Sequence, residues 1–315
     1  MFDADSFRLV NAWQRGFPLV PRPFAEVARS CGLDEGEAIA RFAQLKSRGL
    51  IDRIAPVFRP NTVGASTLAA MAVPPARLET VAAQVSAHPG VNHNYERENP
   101  VNLWFVATAP TPAALQNLLG SLEDESGLAV LRLPLVEEFH IDLGFDLEDH
   151  SVPREGPQPP VAPLREAERA LAARLAAGLP LAPRPFAAFG VPEEELIAAL
   201  RRWLESGVVR RIGAVVRHRP LGYEANAMVV WNVPDDEAGA AGRRLAADPA
   251  VTLCYRRARA LPAWPYNLYC MVHGRERPAV TRSIERLCTE HALTRYPRAI
   301  LFSQRCFSQR AAHYG

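Results

Sequence analysis

Residues 16–24 read GFPLVPRPF and residues 178–186 read GLPLAPRPF, one phrase repeated at an offset of 162. Self-similarity at a fixed spacing means that one structural unit occurs twice. The copies can be followed downstream. Arg53-Ile54 matches Arg211-Ile212, Val73-Pro74 matches Val233-Pro234, Tyr95-Glu96-Arg97 matches Tyr255-Arg256-Arg257, and Asn102-Leu103-Trp104 matches Asn267-Leu268-Tyr269. With 315 residues the chain is too long for one compact core and suits two to four domains.

Around the phrase both copies keep the same order. A helix over about 5–15, or 164–177, stops at Gly16 or Gly178, as a glycine just past a helix end does. The prolines that follow forbid a regular element. A short helix then leads through a turn (31–34 or 189–192) into a second, amphipathic helix. Its apolar stripe is Ile39, Phe42 and Leu45 in one copy, and Leu196, Leu200, Trp203 and Leu204 in the other. Gly49 or Gly207 ends it, and the strand-like runs LIDRIAPVFR and VVRRIGAVVR come next. Three helices with a small hairpin make a winged helix-turn-helix.

The remainder of each copy alternates strand and helix. The first reads as strand 66–73, helix 74–88, strands 90–97 and 101–109, helix 110–126 and strand 129–143. The second reads as strand 224–233, helix 235–247, strands 250–258 and 265–273, helix 276–291 and a strand over about 294–303. That βαββαβ order is ferredoxin-like. The expected fold is therefore α+β, a tandem duplication. Its parts are helix-turn-helix domains at 1–62 and 164–222, ferredoxin-like domains at 63–150 and 223–315, and an exposed Pro-rich linker at 151–163.

Composition narrows the class. Apolar content of 48% and charged content of 22% are those of a globular protein. No apolar run is long enough to span a bilayer, the N-terminus MFDADSFRLV is not signal-like, and five cysteines lack C-x-x-C spacing. A cytoplasmic chain with reduced thiols and no membrane partner is expected. Residues 1–164 carry 13 Lys and Arg against 20 Asp and Glu (net −7), and residues 165–315 carry 23 against 14 (net +9). Clustered guanidinium groups suit planar recognition of carboxylate or phosphate. The second helices of the two motifs begin with acids (Asp34, Glu35, Glu37; Glu193, Glu194, Glu195), which would repel a DNA backbone, so no nucleic-acid partner is expected. No H-x-x-x-H, H-E-x-x-H, phosphate-loop or Rossmann pattern occurs, so neither a dedicated metal site nor a nucleotide cofactor is indicated.

The chemistry concentrates in VNHNYERENPVNLWFV (91–106) and VTLCYRRARALPAWPYNLYCMVHG (251–274). Strand alternation makes His93, Tyr95 and Arg97 share a face, as do Tyr255 and Arg257, while Trp104, Tyr266 and His273 add to the surface beside them. Aromatic walls with converging Arg, Tyr and His describe a pocket for a flat, anionic ligand. His93 and His273 stand evenly between structural and catalytic roles. His140 reads mainly as ordering a strand end. His88, His150, His218, His291 and His313 read as structural. Trp264 and Tyr266 either plug a domain interface or wall the ligand. Arg22 and Arg184, held between prolines, either bridge domains or reach a ligand.

GFPLVPRPF, VNHNYERENPVNLWF and HIDLGF are similar to the first subunit of siroheme decarboxylase, and GLPLAPRPF, VTLCYRR, WPYNLYCMVHG and ILFSQRCFSQR to its partner subunit. Over nearly its whole length the chain resembles the fused two-subunit form that serves heme d1 biosynthesis. The resemblance implies the Lrp/AsnC fold and loss of the C12 and C18 acetate carboxyls of siroheme, giving 12,18-didecarboxysiroheme and CO2. No added cofactor is implied, because iron enters with the substrate. The expected partners are siroheme and its mono- and didecarboxylated products. Carboxylate binding falls on Arg97, Arg256 and Arg257, with Tyr95, Tyr255 and Tyr266 assisting. Trp104, Trp264, Asn267, Arg22 and Arg184 complete the expected substrate set. His93 and His273 are the expected proton donors, one of which could instead ligate the iron.

The copies disagree at these histidines. Leu253 matches His93, and Ala107 or Thr108 matches His273, so one composite site per chain is expected. A monomer of tandem halves and a homodimer both remain open. So do a non-catalytic tetrapyrrole-binding protein and a ligand-responsive Lrp/AsnC-type regulator.

Overall fold

The structure is a computed structural model and describes residues 4–141, 144, 161–217 and 219–314. Most of the expected linker, His150, His218 and part of HIDLGF lie outside those residues. The first copy runs α1 (Ala4–Ala12), α2 (Pro23–Cys31), α3 (Glu35–Ser47), β1 (Ile51–Phe58), β2 (Ala65–Met71), α4 (Leu78–Ala87), β3 (Val91–Arg97) and β4 (Leu103–Ala109). It ends with α5 (Pro112–Ser126), β5 (Leu131–Leu133) and β6 (Leu135–Ile141). The second runs α6 (Glu166–Ala176), a 3-10 turn (Pro185–Phe189), α7 (Glu193–Glu205), β7 (Val209–Val216), β8 (Ala225–Trp231), α8 (Asp235–Ala246), β9 (Leu253–Arg257), β10 (Leu268–Gly274), α9 (Arg277–Glu290) and β11 (Arg298–Gln309). The chain clusters into two compact units, one holding both helix-turn-helix motifs and the other holding the ferredoxin-like elements.

In the first unit, Asp34 caps α3 by accepting the Glu37 N–H at 2.7 Å. Gly32 and Gly190 turn the two motifs at φ +68° and +71°, a conformation that a Cβ disfavours. The wing corrects the expected hairpin. Each copy supplies one strand, and β1 pairs antiparallel with β7, from Ile51↔Val216 to Phe58↔Val209. A lone strand leaves its hydrogen-bonding edges open, and here each copy closes the other's. The repeated phrase joins the exchange. Phe17 donates its N–H to Ile212 of the second copy at 3.0 Å, and Leu179 donates to Ile54 of the first at 2.7 Å. The short helix of the second motif is a 3-10 turn rather than the α-helix of the first.

In the second unit nine strands form one sheet in the order β5-β2-β4-β3-β11-β8-β10-β9-β6. The terminal strands differ from expectation. The run over 129–143 breaks at Pro134, so that β5 stays on β2 while β6 crosses to β9 of the other copy. β11 is longer than expected. Its first part pairs with β8, and from Ser303↔Arg97 to Gln309↔His93 it pairs with β3. Each copy thus lends its last strand to the other's sheet.

Helices cover one sheet face, where Asn94 donates to the Ala82 carbonyl and Ser86 Oγ of α4 at 3.1 and 3.0 Å. Gly242 of α8 lies against the Phe139 ring of β6, where any Cβ would collide. The opposite face carries a second apolar cluster that includes Trp104, Met228, Val230, Tyr255, Tyr269 and Leu301.

The opposed charges of the halves are used internally. Arg277 grips Glu98 with both nitrogens (2.6 and 2.5 Å), Arg305 pairs with Glu96 and Glu79, and Arg217 pairs with Asp52 at 2.7 Å. Much of the arginine excess therefore holds the copies together instead of facing a ligand. No described helix is long and apolar enough to cross a membrane.

Candidate functional site on the uncovered sheet face

Period-two alternation carries His93, Tyr95 and Arg97 of β3 to the face without helices, because Asn94 between them points into α4. The His93 and Tyr95 rings stack at 6.4 Å, and the Arg97 guanidinium lies 5.7 Å from the Tyr95 centroid. The second copy repeats the motif. Arg257 lies 4.6 Å over Tyr255, which stacks on Tyr269 at 5.6 Å. Such contacts orient a guanidinium with its edge left for hydrogen bonding.

Both arginines also bind the crossing strands. Arg97 Nη1 donates to Ser303 Oγ at 2.9 Å and to the Leu301 carbonyl at 3.4 Å, and Arg257 Nη1 donates to the Leu133 carbonyl at 2.7 Å. Arg257 Nε is buried without a partner among the described residues.

An aromatic block joins the copies. Trp104 meets Trp264 edge-on at 5.0 Å, and Trp264 meets Tyr266 at 4.9 Å. Trp264 donates its indole N–H to the Tyr269 oxygen at 2.8 Å. Burial pushes the Tyr269 hydroxyl well above the usual phenol range, so it stays neutral. Trp104 and Trp264 are buried, as are Arg97, Tyr255 and Tyr269 beside them, while Tyr266 is half-buried.

His273 lies at the end of β10 opposite Asn226 of β8. Asn226 is buried, and its carbonyl oxygen has no partner among the described residues. The next residue beyond the Phe302↔Ala227 pair is Ser303, itself opposite Arg97. Arg97, Ser303, Asn226 and His273 thus form a row across four adjacent strands, about 14 Å long at the ordinary strand spacing. Sequence reasoning missed Ser303, Asn226 and Tyr269. Tyr269 was legible as the match to Trp104, but the other two become neighbours only through the strand exchange.

Four expected substrate residues do not join this set. Asn267 is buried and clamps the Val233 backbone, accepting its N–H at 3.0 Å and donating to its carbonyl at 2.9 Å. Asn102 does the same to Val73 in the first copy. Arg256, one residue from Tyr255, points to the helix side and pairs with Asp235 at 2.7 Å, beside Arg259. Among the described residues Arg22 and Arg184 make their ion pairs within their own motifs. Each pairs with the first residue of the second helix in its own motif, Glu35 or Glu193.

Among the described residues Asp248, Glu290 and His291 converge closely enough to hold a metal ion. The Asp248 carboxylate is already occupied by Arg286 (2.8 Å), the Ala250 N–H (2.9 Å) and His291 (3.1 Å). A cation there would sit against a guanidinium. Of the remaining histidines, His140 lies on β6 opposite Cys254, and His88 contacts Glu125 at 3.1 Å.

Paired helix-turn-helix motifs, exchanged ferredoxin-like sheets and an aromatic, arginine-bearing face define a duplicated protein of the AsnC type. The family model for the AsnC-like ligand binding domain matches residues 63–140 and 220–308, and that for the siroheme decarboxylase NirDL-like HTH domain matches 7–51 and 168–210. The chain belongs to the siroheme decarboxylase NirDL family. It is 46% identical to the siroheme decarboxylase NirDL subunit of Paracoccus denitrificans, covering 99% of this chain and 97% of that protein. It is 36% identical to the siroheme decarboxylase of Hydrogenobacter thermophilus, over 96% and 92%. The crystal structure of the siroheme decarboxylase NirDL in co-complex with an iron-uroporphyrin III analogue is 31% identical, covers 98% of this chain and 94% of that one, and superposes with a TM-score of 0.69.

Proposed function

We propose that this protein is a carboxy-lyase that removes the C12 and C18 acetate carboxyls of siroheme, giving 12,18-didecarboxysiroheme and CO2 on the route to heme d1. The observation that carries the reading is the uncovered sheet face, where His93, Tyr95, Arg97, Tyr255, Arg257 and His273 all lie on a scaffold of the siroheme decarboxylase family. Siroheme is a planar iron tetrapyrrole rimmed with carboxylates, and guanidinium groups seated on tyrosine rings suit that shape and charge.

Breaking the bond between the acetate methylene and its carboxylate releases CO2 and leaves the electron pair on the methylene. The conjugated macrocycle of the substrate delocalises that pair, and no further cofactor is required. The protein binds the outer carboxylates, shields the scissile one from water, and delivers one proton to the methylene, which becomes a methyl group. His93 and His273 are the proton donors in this reading, since imidazole carries a transferable proton near neutral pH.

The two copies do not offer the same groups. Leu253 stands where the first copy has His93, and by strand register Thr108 stands where the second has His273. This reading gives one asymmetric site per chain. Anaerobic incubation of the purified protein with siroheme, followed by product mass, tests the reading. Loss of the mass of two CO2 is expected, and binding of unchanged siroheme would replace the enzyme with a tetrapyrrole-binding protein.

A further inference from the structure

The Thr252 hydroxyl lies 3.0 Å from the Met271 carbonyl oxygen and 2.7 Å from His273 Nδ1. A hydroxyl has one hydrogen to give and lone pairs to receive. The carbonyl can only accept, so the hydroxyl hydrogen belongs to that contact. The remaining short contact is then a hydrogen bond only if His273 Nδ1 carries the proton and donates it to Thr252 Oγ1. The opposite assignment would press two lone-pair oxygens together at 3.0 Å. Thr252 is held for this purpose, being buried and tied through its own N–H to the same Met271 carbonyl at 3.0 Å.

We infer that Thr252 is a positioning residue that fixes the tautomer and ring orientation of His273, so that Nε2 is the nitrogen that exchanges a proton with substrate. The inference rests on the reading of His273 as a proton donor. With Nδ1–H committed to Thr252, a neutral His273 has its lone pair on Nε2, and the imidazolium gives its proton from Nε2 while the ring stays anchored. A second ring nitrogen held by a fixed acceptor is the usual way a protein aims the first. The first copy has no equivalent. Asn92 occupies the position of Thr252, and Thr108, at the position of His273, donates its hydroxyl to the Gly90 carbonyl at 3.2 Å. The pair is therefore a product of divergence and marks the second copy's side of the site.

The test uses full-length protein labelled with 15N-histidine, with the His273 signals assigned by their loss in His273→Gln. Long-range proton–nitrogen correlation should show the neutral Nδ1–H form in wild type and in Thr252→Ser, and a shift towards the Nε2–H form in Thr252→Val. On siroheme, Thr252→Val should lower kcat by about 10- to 100-fold with KM within about twofold, and Thr252→Ser should restore most of the loss. An Nε2–H tautomer in wild type would overturn the inference. So would a Thr252→Val protein with unchanged tautomer, or one with a changed tautomer and undiminished kcat. The spectrum needs no turnover. If wild type failed to decarboxylate siroheme, the proposed function would fall while the tautomer was still read.

Discussion

Arg257 donates from Nη1 to the Leu133 carbonyl at 2.7 Å, across 124 positions of sequence. Leu133 ends β5, just before Pro134 sends the chain into the other copy's sheet. Arg97 makes the equivalent reach to Leu301, where β11 leaves β8 for β3. The two arginines therefore mark the crossing points of the exchanged strands, and the same guanidinium groups lie over Tyr95 and Tyr255.

Arg257 and its neighbour should separate in function. Arg257→Lys keeps the charge but loses the planar fork, and should weaken siroheme binding about tenfold, the worth of one charge-assisted hydrogen bond. Arg256→Ala, on the helix side against Asp235, should change the affinity by less than about twofold. Titration of the tetrapyrrole absorbance reads both. Equal losses would place Arg256 in the site.

The paired asparagines should be structural. Asn267→Ala strands the Val233 N–H, while the Val233 carbonyl keeps the Arg259 guanidinium, and should cost about 2 kcal/mol in urea unfolding. Asn102→Ala should cost a similar amount through Val73. Neither variant should lower the number of siroheme molecules bound per folded chain, and a lower number would restore Asn267 to the substrate set.

Acid sensitivity should have a source at Asp248. Burial raises its carboxyl, but hydrogen bonds from Arg286, the Ala250 N–H and His291, with the Arg286 charge, lower it further than burial raises it. A carboxyl held below its unfolded value contributes stability that is complete above about pH 4 and disappears as pH falls through the folded value. Asp248→Asn should be about 2 kcal/mol less stable at pH 7, a figure reduced because Arg286 is partly exposed. The two proteins should converge in stability as the pH falls from about 4 through the folded value. A constant gap across that range would remove the assignment.

Binding should be asymmetric. A titration of siroheme against the chain is expected to saturate at one per chain. Two equal sites would mean that Leu253 and Thr108 substitute for the histidines.

What the sequence makes legible follows from distance along the chain. The tandem architecture, the helix-turn-helix order and the shared face of His93, Tyr95 and Arg97 depend on local periodicity and on the repeat. The β1–β7 wing and the crossing of β6 and β11 do not, because a strand's pattern fixes its faces but not which edge it joins. Ser303 and Asn226 were invisible for that reason. Asn267 and Arg256 lie off that face for another reason. Asn267 lies outside the strand that follows it and turns inward to the Val233 backbone, and Arg256 is one residue out of phase with the uncovered face. Charge misled, since net charge counts Arg277 and Arg305 without the acids that hold them.

The central claim is that His93 and His273 supply protons to the decarboxylated acetates. Its most direct test is the single-turnover rate of anaerobic siroheme decarboxylation by His93→Ala and His273→Ala, with mono- and didecarboxylated products resolved by mass. At least one loss of CO2 should slow by about 100-fold or more in each variant, the range of general acid catalysis. Wild-type rates for both losses in both variants would contradict the account.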